Sequence, residues 1–296
     1  MNTNNFKAHA VLLTGNFLFG VAVVAIKHIT PSVMQPIALN VFRASIALIL
    51  FWTMFLFKPS KASINKKDIP LFIVCAATGV AINQILFVQG TSLTSPIHAA
   101  LLLLVTPIVI TIIAAWLLKE KVTLNKAAGL ILGIAGASTL ILIKNYADKE
   151  STMLGDFLII INAISYAFYL VLVRPLMKTY SPIHVTRWVF LFGAIMIIPL
   201  GIKDVLQINW SMLMWHHWAA LAFSVIGATF LSYLFVMYGL EKLGSTVTGT
   251  YMYTQPVFAT IASIILFNEK LTLTKIIAAI LIFCGVYLVN KKQLKN

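Results

Sequence analysis

Residues 107–136 read PIVITIIAAWLLKEKVTLNKAAGLILGIAG, and residues 256–285 read PVFATIASIILFNEKLTLTKIIAAILIFCG. The two stretches lie 149 residues apart and are identical at twelve of 30 positions, including the loop pattern Glu-Lys-x-Thr-Leu-x-Lys. Chance similarity between apolar helices would supply matching Ile and Leu residues, but not this charged pattern at the same point of two loops. We infer an internal repeat, with a first half at residues 1–149 and a second at 150–296. The alternative is an old duplication retained only for packing.

The composition places the chain in a membrane. Of its 296 residues, 60% are hydrophobic and only 10% are charged, whereas soluble domains carry about 25% charged residues. A chain of this length cannot enclose so much apolar surface in its own core. The net charge is +14, and in a membrane protein such positive charges usually lie in loops that face anionic lipid. We therefore expect the chain to interact with the lipid bilayer and not with nucleic acid.

Ten apolar stretches have about the 20 residues that a helix needs to cross the hydrocarbon core. Their unbroken apolar runs favour helices over barrel strands, which alternate apolar and polar residues. We predict an all-α membrane protein with ten transmembrane helices. The stretches cover residues 8–27, 36–57, 69–89, 97–118, 125–143, 154–176, 183–202, 217–239, 246–267 and 274–290.

The positive charges predict the orientation of these helices. Fourteen Lys and Arg residues fall in one set of alternate loops and termini, and six fall in the other. Because Lys and Arg are enriched on the cytoplasmic side, we expect both termini to be cytoplasmic. Five spans separate the two copies of the repeat, so the second copy is inverted. An inverted repeat of five plus five helices recurs in secondary transporters, with the substrate site near the midplane.

Several motifs resemble those of EamA-type carriers of the drug/metabolite transporter superfamily. They are NFLFG at residues 16–20 with AIK at 25–27, Pro31 and Arg43, and the paired Thr106-Pro107/Glu120-Lys121 and Gln255-Pro256/Glu269-Lys270. The resemblance implies a multi-pass exporter or permease of a bacterial inner membrane, for amino acids or other small metabolites, without a cofactor. It also implies a cavity lined by helices one, three, four, six, eight and nine. Tyr166-Ala167-Phe168-Tyr169 departs from the family, where many relatives have Trp-Ala.

Arg43 is the most costly residue in the predicted spans. It lies about 10 Å inside the second span, where a charge costs roughly 2.5–3.5 kcal/mol on insertion scales. It is either a bidentate clamp for a substrate carboxylate or a structural residue that bonds backbone carbonyls or snorkels outward. Arg187 is closer to a membrane surface, so we expect it to snorkel.

Polar and proline residues near the span centres are the other candidates for substrate binding. An amide in hydrocarbon must bond to a neighbouring helix or to a ligand in a wet cavity. Pro107 and Pro256 are equivalent in the repeat, and we expect them to interrupt helices four and nine and to face each other across the cavity. The full set is Asn16, Asn83, Gln84, Thr106, Pro107, Asn162, Tyr166, Tyr169, Ser232, Tyr233, Tyr251, Tyr253, Gln255 and Pro256.

Acidic residues are missing from the middle of every predicted span, which argues against an exporter of cationic drugs. Coupling to protons is therefore absent, or it depends on a histidine or on Asp156. His98 is either a titrating group or a plain interfacial histidine. We interpret His216-His217 as an aromatic-belt anchor and not as a metal site, because no third ligand has suitable spacing. Gly129 and Gly133 predict packing against the tenth helix, or a homodimer contact.

These features favour a secondary transporter of small neutral, zwitterionic or weakly anionic metabolites that works by alternating access, as a monomer or homodimer. A phosphate-binding loop for ATP does not occur in the sequence. Neither do the paired aspartates, nucleophile with base, or metal cluster that an intramembrane enzyme needs. The alternative function is a channel or a non-transporting sensor of an unknown ligand.

The orientation can be tested with a reporter. A fluorescent protein fused after Asn296 should be cytoplasmic, because the loops richer in Lys and Arg lie on the same side as the C-terminus. A fusion that reads as periplasmic would overturn the ten-span topology.

Overall fold

The computed structural model describes residues 3–57, 63–117, 124–142 and 151–290, and every regular element in these ranges is helical. The first half contains α1 (Thr3–Ile29), α2 (Pro36–Phe57), α3 (Ile69–Ala76), α4 (Ile82–Leu93), α5 (Pro96–Leu103), α6 (Thr106–Leu117) and α7 (Leu124–Leu142). The second half contains α8 (Met153–Leu172), α9 (Arg174–Thr179), α10 (Pro182–Leu206), α11 (Trp215–Ala222), α12 (Ser232–Tyr251), α13 (Gln255–Phe267) and α14 (Leu273–Asn290).

Six helical segments are long and apolar enough to cross a membrane. They are Phe6–Ile29, Pro36–Met54, Lys66–Leu93, Met153–Thr179, Pro182–Leu206 and Trp215–Gly239. Shorter apolar helices at Pro96–Ile110, Ala127–Leu140, Met252–Phe267 and Leu273–Gly285 overlap the other four predicted spans. The all-helical, multi-pass character of the chain is therefore established. The ten-span count, the inverted repeat and the side of each terminus stay predictions.

Two helices are interrupted just before the paired prolines. Between α5 and α6, Leu104 and Val105 form a turn, and Pro107 is the second residue of α6. Between α12 and α13, residues Met252–Thr254 form a turn of 3₁₀ helix, and Pro256 lies in the first turn of α13. A proline is tolerated there because the first amides of a helix have no intrahelical partner.

The predicted loop between spans eight and nine, at residues 240–245, is helical. This prediction is wrong, since α12 continues without a break to Tyr251. In the first half, Ser95 caps α5 and Pro96 starts it, because proline cannot continue the preceding helix. The repeat places Gly244 and Ser245 at the equivalent positions. Both keep their backbone N–H, so helical hydrogen bonding continues through them.

Two π-helical segments occupy equivalent positions in the two halves. Ala77–Ala81 joins α3 to α4, and Phe223–Leu231 joins α11 to α12. When the first segment is shifted by the 149-residue repeat offset, it falls within the second segment. A π segment widens the helix and redirects its side chains, and such segments are frequent at functional sites.

The helices α7 and α14 cross at glycines. A β-carbon added to Gly285 would lie 2.6 Å from the Gly129 carbonyl oxygen, and one added to Gly136 would lie 2.9 Å from the Ala278 carbonyl oxygen. Gly129 and Ala278, and likewise Gly136 and Gly285, are 149 residues apart, so the two contacts are equivalent in the repeat. The prediction that Gly129 and Gly133 pack against the tenth span is confirmed, since Gly285 also meets Gly133.

Gly285→Ala should lower the thermal stability of the purified protein. The added methyl group forces the two backbones apart, and overpacking of this kind costs about 1–3 kcal/mol. Gly227→Ala is the matched control, because its β-carbon would come no closer than 3.2 Å to its nearest neighbour, the Phe223 ring. Equal melting temperatures for Gly285→Ala and the wild type would contradict the close crossing.

Candidate functional site

A cavity lies between the two halves, bounded by α1, α2, α4, α5, α6, α8, α12 and α13. Its volume is about 100 Å³. At roughly 15 Å³ for each water-sized position, about seven non-hydrogen atoms fit, the size of a small metabolite. Ten of the predicted binding residues line it. They are Arg43, Asn83, Gln84, Thr106, Asn162, Tyr166, Tyr233, Tyr253, Gln255 and Pro256.

Four of the predicted residues do not line this cavity, and each has a structural partner. Asn16 donates to the Leu12 carbonyl and accepts from Gln255. Tyr169 packs over Gly79, where a β-carbon would clash with its ring. The Ser232 hydroxyl donates to the Gly227 carbonyl at 2.9 Å, and the Tyr251 hydroxyl bonds His9 Nδ1 at 2.8 Å. The side chain of Pro107 lies outside the described part of the chain.

Arg43 is buried, and the described residues give its side chain one hydrogen bond. Its side chain is 3% exposed, and its Nε donates to the Thr229 hydroxyl at 2.9 Å. The guanidinium also lies 5.8 Å from the centre of the Phe87 ring. Among the described residues, Nη1 has no hydrogen-bond partner. The expected backbone-carbonyl bonds and snorkelling are therefore not what the structure shows.

The π segment positions the Thr229 hydroxyl for Arg43. This hydroxyl donates to the Ser224 carbonyl, five residues earlier, at 2.8 Å, so its lone pairs remain available to the guanidinium. A regular α-helix would bond each amide to the carbonyl four residues earlier and leave a different set of groups facing the cavity. Thr229 was not predicted, because a π segment leaves no clear signal in the sequence.

Gln84 offers a second unsatisfied group to the same cavity. The residue is 1% exposed, and neither its amide nitrogen nor its amide oxygen has a partner within the described ranges. A buried amide without partners costs about 1–3 kcal/mol. Arg43 and Gln84, which both line the cavity, therefore carry one cationic donor, one neutral donor and one acceptor that no described residue pairs.

Asn40, which the sequence analysis did not select, shares this character. It lies one turn before Arg43 on α2, it is fully buried, and both polar atoms of its side chain are unpaired among the described residues. It does not line the cavity. Asn40 could have been selected from the sequence, because it is an amide three residues before an arginine in the same predicted span.

The broken helix α12–α13 is tied to α1 by a polar contact. Gln255 Nε2 donates to Asn16 Oδ1 at 2.7 Å. The β-carbon of an alanine at Gly20 would lie 2.5 Å from the Gln255 carbonyl oxygen, so only glycine allows this approach. Asn16 thus fixes a cavity residue and is not itself a lining residue.

The remaining polar wall is formed by α8 and α12. Asn162 Nδ2 donates to the Asn83 carbonyl at 2.7 Å, which fixes the amide against α4. The rings of Tyr166 and Tyr169 stack at 5.8 Å, and the Tyr233 ring meets Phe19 edge to face at 5.6 Å. The described residues of this wall are rich in aromatic rings and include no carboxylate.

His98 and Asp156 form a buried cluster beside the cavity. His98 Nδ1 lies 3.5 Å from Asp156 Oδ2, and the Thr94 hydroxyl donates to Asp156 Oδ1. Both ionisable side chains are at most 6% exposed, so His98 is not a plain interfacial histidine. The sequence analysis suggested each residue separately for proton coupling but did not pair them.

Two residues of the repeated loop pattern are also buried as a pair. Lys275 is fully buried, and its Nζ lies 3.0 Å from Glu269 Oε1. Glu269 Oε2 accepts from the Ile97 backbone N–H at 3.3 Å. The equivalent Glu120 and the side chain of Lys126 lie outside the description. In the second half, the pattern therefore joins the α13–α14 loop to the start of α5.

Arg187 also differs from expectation. It is 4% exposed, its guanidinium lies 5.0 Å from the Trp52 ring centre, and its Nη2 bonds His184 Nδ1 at 2.9 Å. The residue is therefore packed in the protein and does not snorkel. It lies away from the cavity lining.

The placement of Thr106 and Gln255 can be tested by labelling. In a variant with Cys75→Ala and Cys284→Ala, Thr106→Cys and Gln255→Cys should react with a small hydrophilic methanethiosulfonate, because both positions line the cavity. Ser232→Cys is the control, since Ser232 is fully buried and lies outside the lining. Equal labelling of all three cysteines, or of none, would contradict this placement.

Comparison with known proteins identifies relatives over almost the full length. The EamA-like transporter family profile matches residues 6–142 and 153–291. An "Uncharacterized transporter" of Archaeoglobus fulgidus is 26% identical, over 93% of this chain and 95% of that protein. The WAT1-related protein At3g02690 of Arabidopsis thaliana is 26% identical, over 96% of this chain and 70% of its own length.

A solved crystal structure shares the fold with a TM-score of 0.66 at 17% identity, over 95% of this chain and 96% of that chain. The family match, the apolar helices and the relatives named as transporters agree with one another. The chain therefore belongs to the EamA-like transporter family and is a multi-pass membrane transporter.

Proposed function

We propose that this transporter carries small metabolites with a carboxylate group, which are zwitterionic, neutral overall or weakly anionic, such as amino acids. The observation that carries the proposal is the buried, unpaired Nη1 of Arg43 in the wall of the central cavity. A guanidinium in such a place needs an anion, because a desolvated charge without a partner is costly. Among the described residues, Arg43 forms no ion pair.

The geometry of Arg43 suits a carboxylate. Thr229 occupies Nε, and Nη1 has no partner among the described residues, so in this proposal the carboxylate binds on the Nη side of the guanidinium. Guanidinium and carboxylate form two parallel, charge-assisted hydrogen bonds, which are about twice as strong as neutral ones. The unpaired Gln84 amide can then donate to and accept from polar groups elsewhere on the substrate.

The charge of the cavity wall limits the substrate class. Among the described residues, the lining contains Arg43 and no Asp or Glu. A ligand with a fixed positive charge and no carboxylate would face repulsion without compensation. Quaternary ammonium compounds are therefore poor substrates in this proposal.

We infer alternating access from the placement of the interrupted helices. Thr106 begins α6 and Gln255 begins α13, and both line the cavity at a helix break. In transporters built from inverted repeats, broken helices flank the site and the halves rock around it. The proposed setting is a bacterial inner membrane, with both termini cytoplasmic and the chain acting as an exporter or permease, as a monomer or homodimer.

A channel or a sensor with the same cavity would behave differently. A carrier in liposomes gives saturable uptake and counterflow, a channel gives flux that does not saturate, and a sensor gives no flux. The two interrupted helices favour the carrier, because a binding site enclosed between movable halves needs such hinges.

Arg43→Gln should reduce amino-acid counterflow in proteoliposomes by about tenfold or more. A hydrogen bond to a charged group contributes about 1.5–3 kcal/mol, which corresponds to a tenfold to hundredfold effect. The probe is a mixture of labelled amino acids, and rates are divided by the amount of folded protein from size-exclusion chromatography.

Arg187→Gln is the matched control, because it removes an equally buried arginine that does not line the cavity. Its rate per folded protein should stay near the wild-type rate. An equal loss of folded protein and no change in specific rate for Arg43→Gln would assign Arg43 a structural role. Transport of a quaternary ammonium dye that Gln84→Leu abolishes would contradict the proposed substrate class.

A further inference from the structure

Three histidines converge at one end of the helix bundle, away from the central cavity. His28 is in the last turn of α1, and His216 and His217 are in the first turn of α11. The ring centres lie 5.2 Å apart for His28 and His216, 5.4 Å for His28 and His217, and 4.1 Å for His216 and His217. One ligand nitrogen from each ring lies within 4.8 Å of the others.

From the sequence we predict no metal site here, because no third ligand has suitable spacing. The fold nevertheless brings His28 from the first half against the adjacent pair in the second half. Packing between α1 and α11 produces the contact. Sequence spacing detects ligands on one local segment and misses a ligand from a distant helix.

We propose that His28, His216 and His217 form a binding site for a divalent transition-metal ion of the Zn²⁺ type. Neutral imidazole nitrogen is a preferred ligand of Zn²⁺, Cu²⁺ and Ni²⁺, whereas Mg²⁺ and Ca²⁺ prefer oxygen. Coordination by three histidines, with the fourth position open to water, is an established arrangement for Zn²⁺.

The distances require a small adjustment of the rings. Zn–N bonds of about 2.0–2.1 Å in a tetrahedron place ligand nitrogens about 3.3 Å apart, and the present separations reach 4.8 Å at most. Rotation of the imidazoles can close this gap, because the rings already contact one another.

A hydrogen bond at His217 must change when the ion binds. The Met214 backbone N–H donates to His217 Nδ1 at 3.1 Å, so the ring proton is on Nε2. Coordination by either nitrogen breaks this bond, since a ligating nitrogen needs its lone pair and the other then carries the proton. Met214 is 63% exposed, so water can satisfy its N–H. The cost is about that of one helix cap, roughly 1 kcal/mol.

The surroundings place the site at the membrane surface. Trp210 and Trp218 stack at 5.8 Å, and Trp215 is 81% exposed. Exposed tryptophans are typical of the interface between lipid and water. An ion from the aqueous phase can therefore reach the histidines. Lys27, the charged neighbour of His28, directs its ammonium to the Ser92 carbonyl at 3.1 Å.

The test is a titration of the purified full-length protein, free of a polyhistidine tag, with ZnSO₄. We expect saturable 1:1 binding by calorimetry and a rise in melting temperature, because an ion that binds only the folded state stabilises it. Co²⁺ in place of Zn²⁺ should give the intense visible absorption bands of a tetrahedral complex. Mg²⁺ should produce none of these effects.

Each of His28→Ala, His216→Ala and His217→Ala should weaken Zn²⁺ binding by about tenfold or more. His9→Ala is the matched control, because His9 bonds Tyr251 and lies outside the cluster. The melting temperature of each variant without metal shows whether it folds.

Unchanged Zn²⁺ binding by the triple variant, an equal loss of affinity in His9→Ala, or equal stabilisation by Mg²⁺ would overturn the proposal. So would the absence of binding in a folded wild-type protein. None of these measurements depends on transport, so the outcome is independent of the proposed substrate.

Discussion

The structure depends on a single constraint, which is the need to satisfy an arginine charge inside an apolar helix bundle. Arg43 is buried, and the described residues around it supply a threonine hydroxyl and an aromatic face but no carboxylate. Its Nη1 has no partner in the described part of the chain. A protein that leaves such a group unpaired has a less stable resting state, and a ligand that completes the pairing recovers that free energy. The proposed preference for carboxylate substrates rests on this electrostatic deficit.

Irregular helix geometry makes this arrangement possible. The π segment Phe223–Leu231 presents Thr229 to Arg43, and the breaks before α6 and α13 place Thr106 and Gln255 in the cavity wall. In a regular helix, each residue is rotated by a constant angle from the one before it, and each carbonyl accepts a hydrogen bond from within the helix. The π segments and the helix breaks occur at equivalent positions of both halves, so each half contains the same two irregularities.

Polar contacts outside the cavity hold the helices in register. The buried pair of His98 with Asp156 joins α5 to α8, and Glu269, which is paired with Lys275, accepts from the Ile97 amide at the start of α5. In a low dielectric such pairs are costly when broken, because one charge is then left without compensation. The glycine crossing of α7 and α14 adds close backbone packing between the two halves. Together these contacts restrict where the halves can move relative to each other.

The sequence by itself determined the helical membrane class, the positions of the prolines at helix breaks and most of the polar cavity lining, because hydropathy and the cost of buried amides are local properties. The tertiary structure decided which polar groups pair with each other and which remain unpaired. It paired Asn16 with Gln255, left Gln84 without a partner among the described residues, and brought His28 to His216. These outcomes depend on which helix faces which, and neither periodicity nor spacing along one chain contains that information.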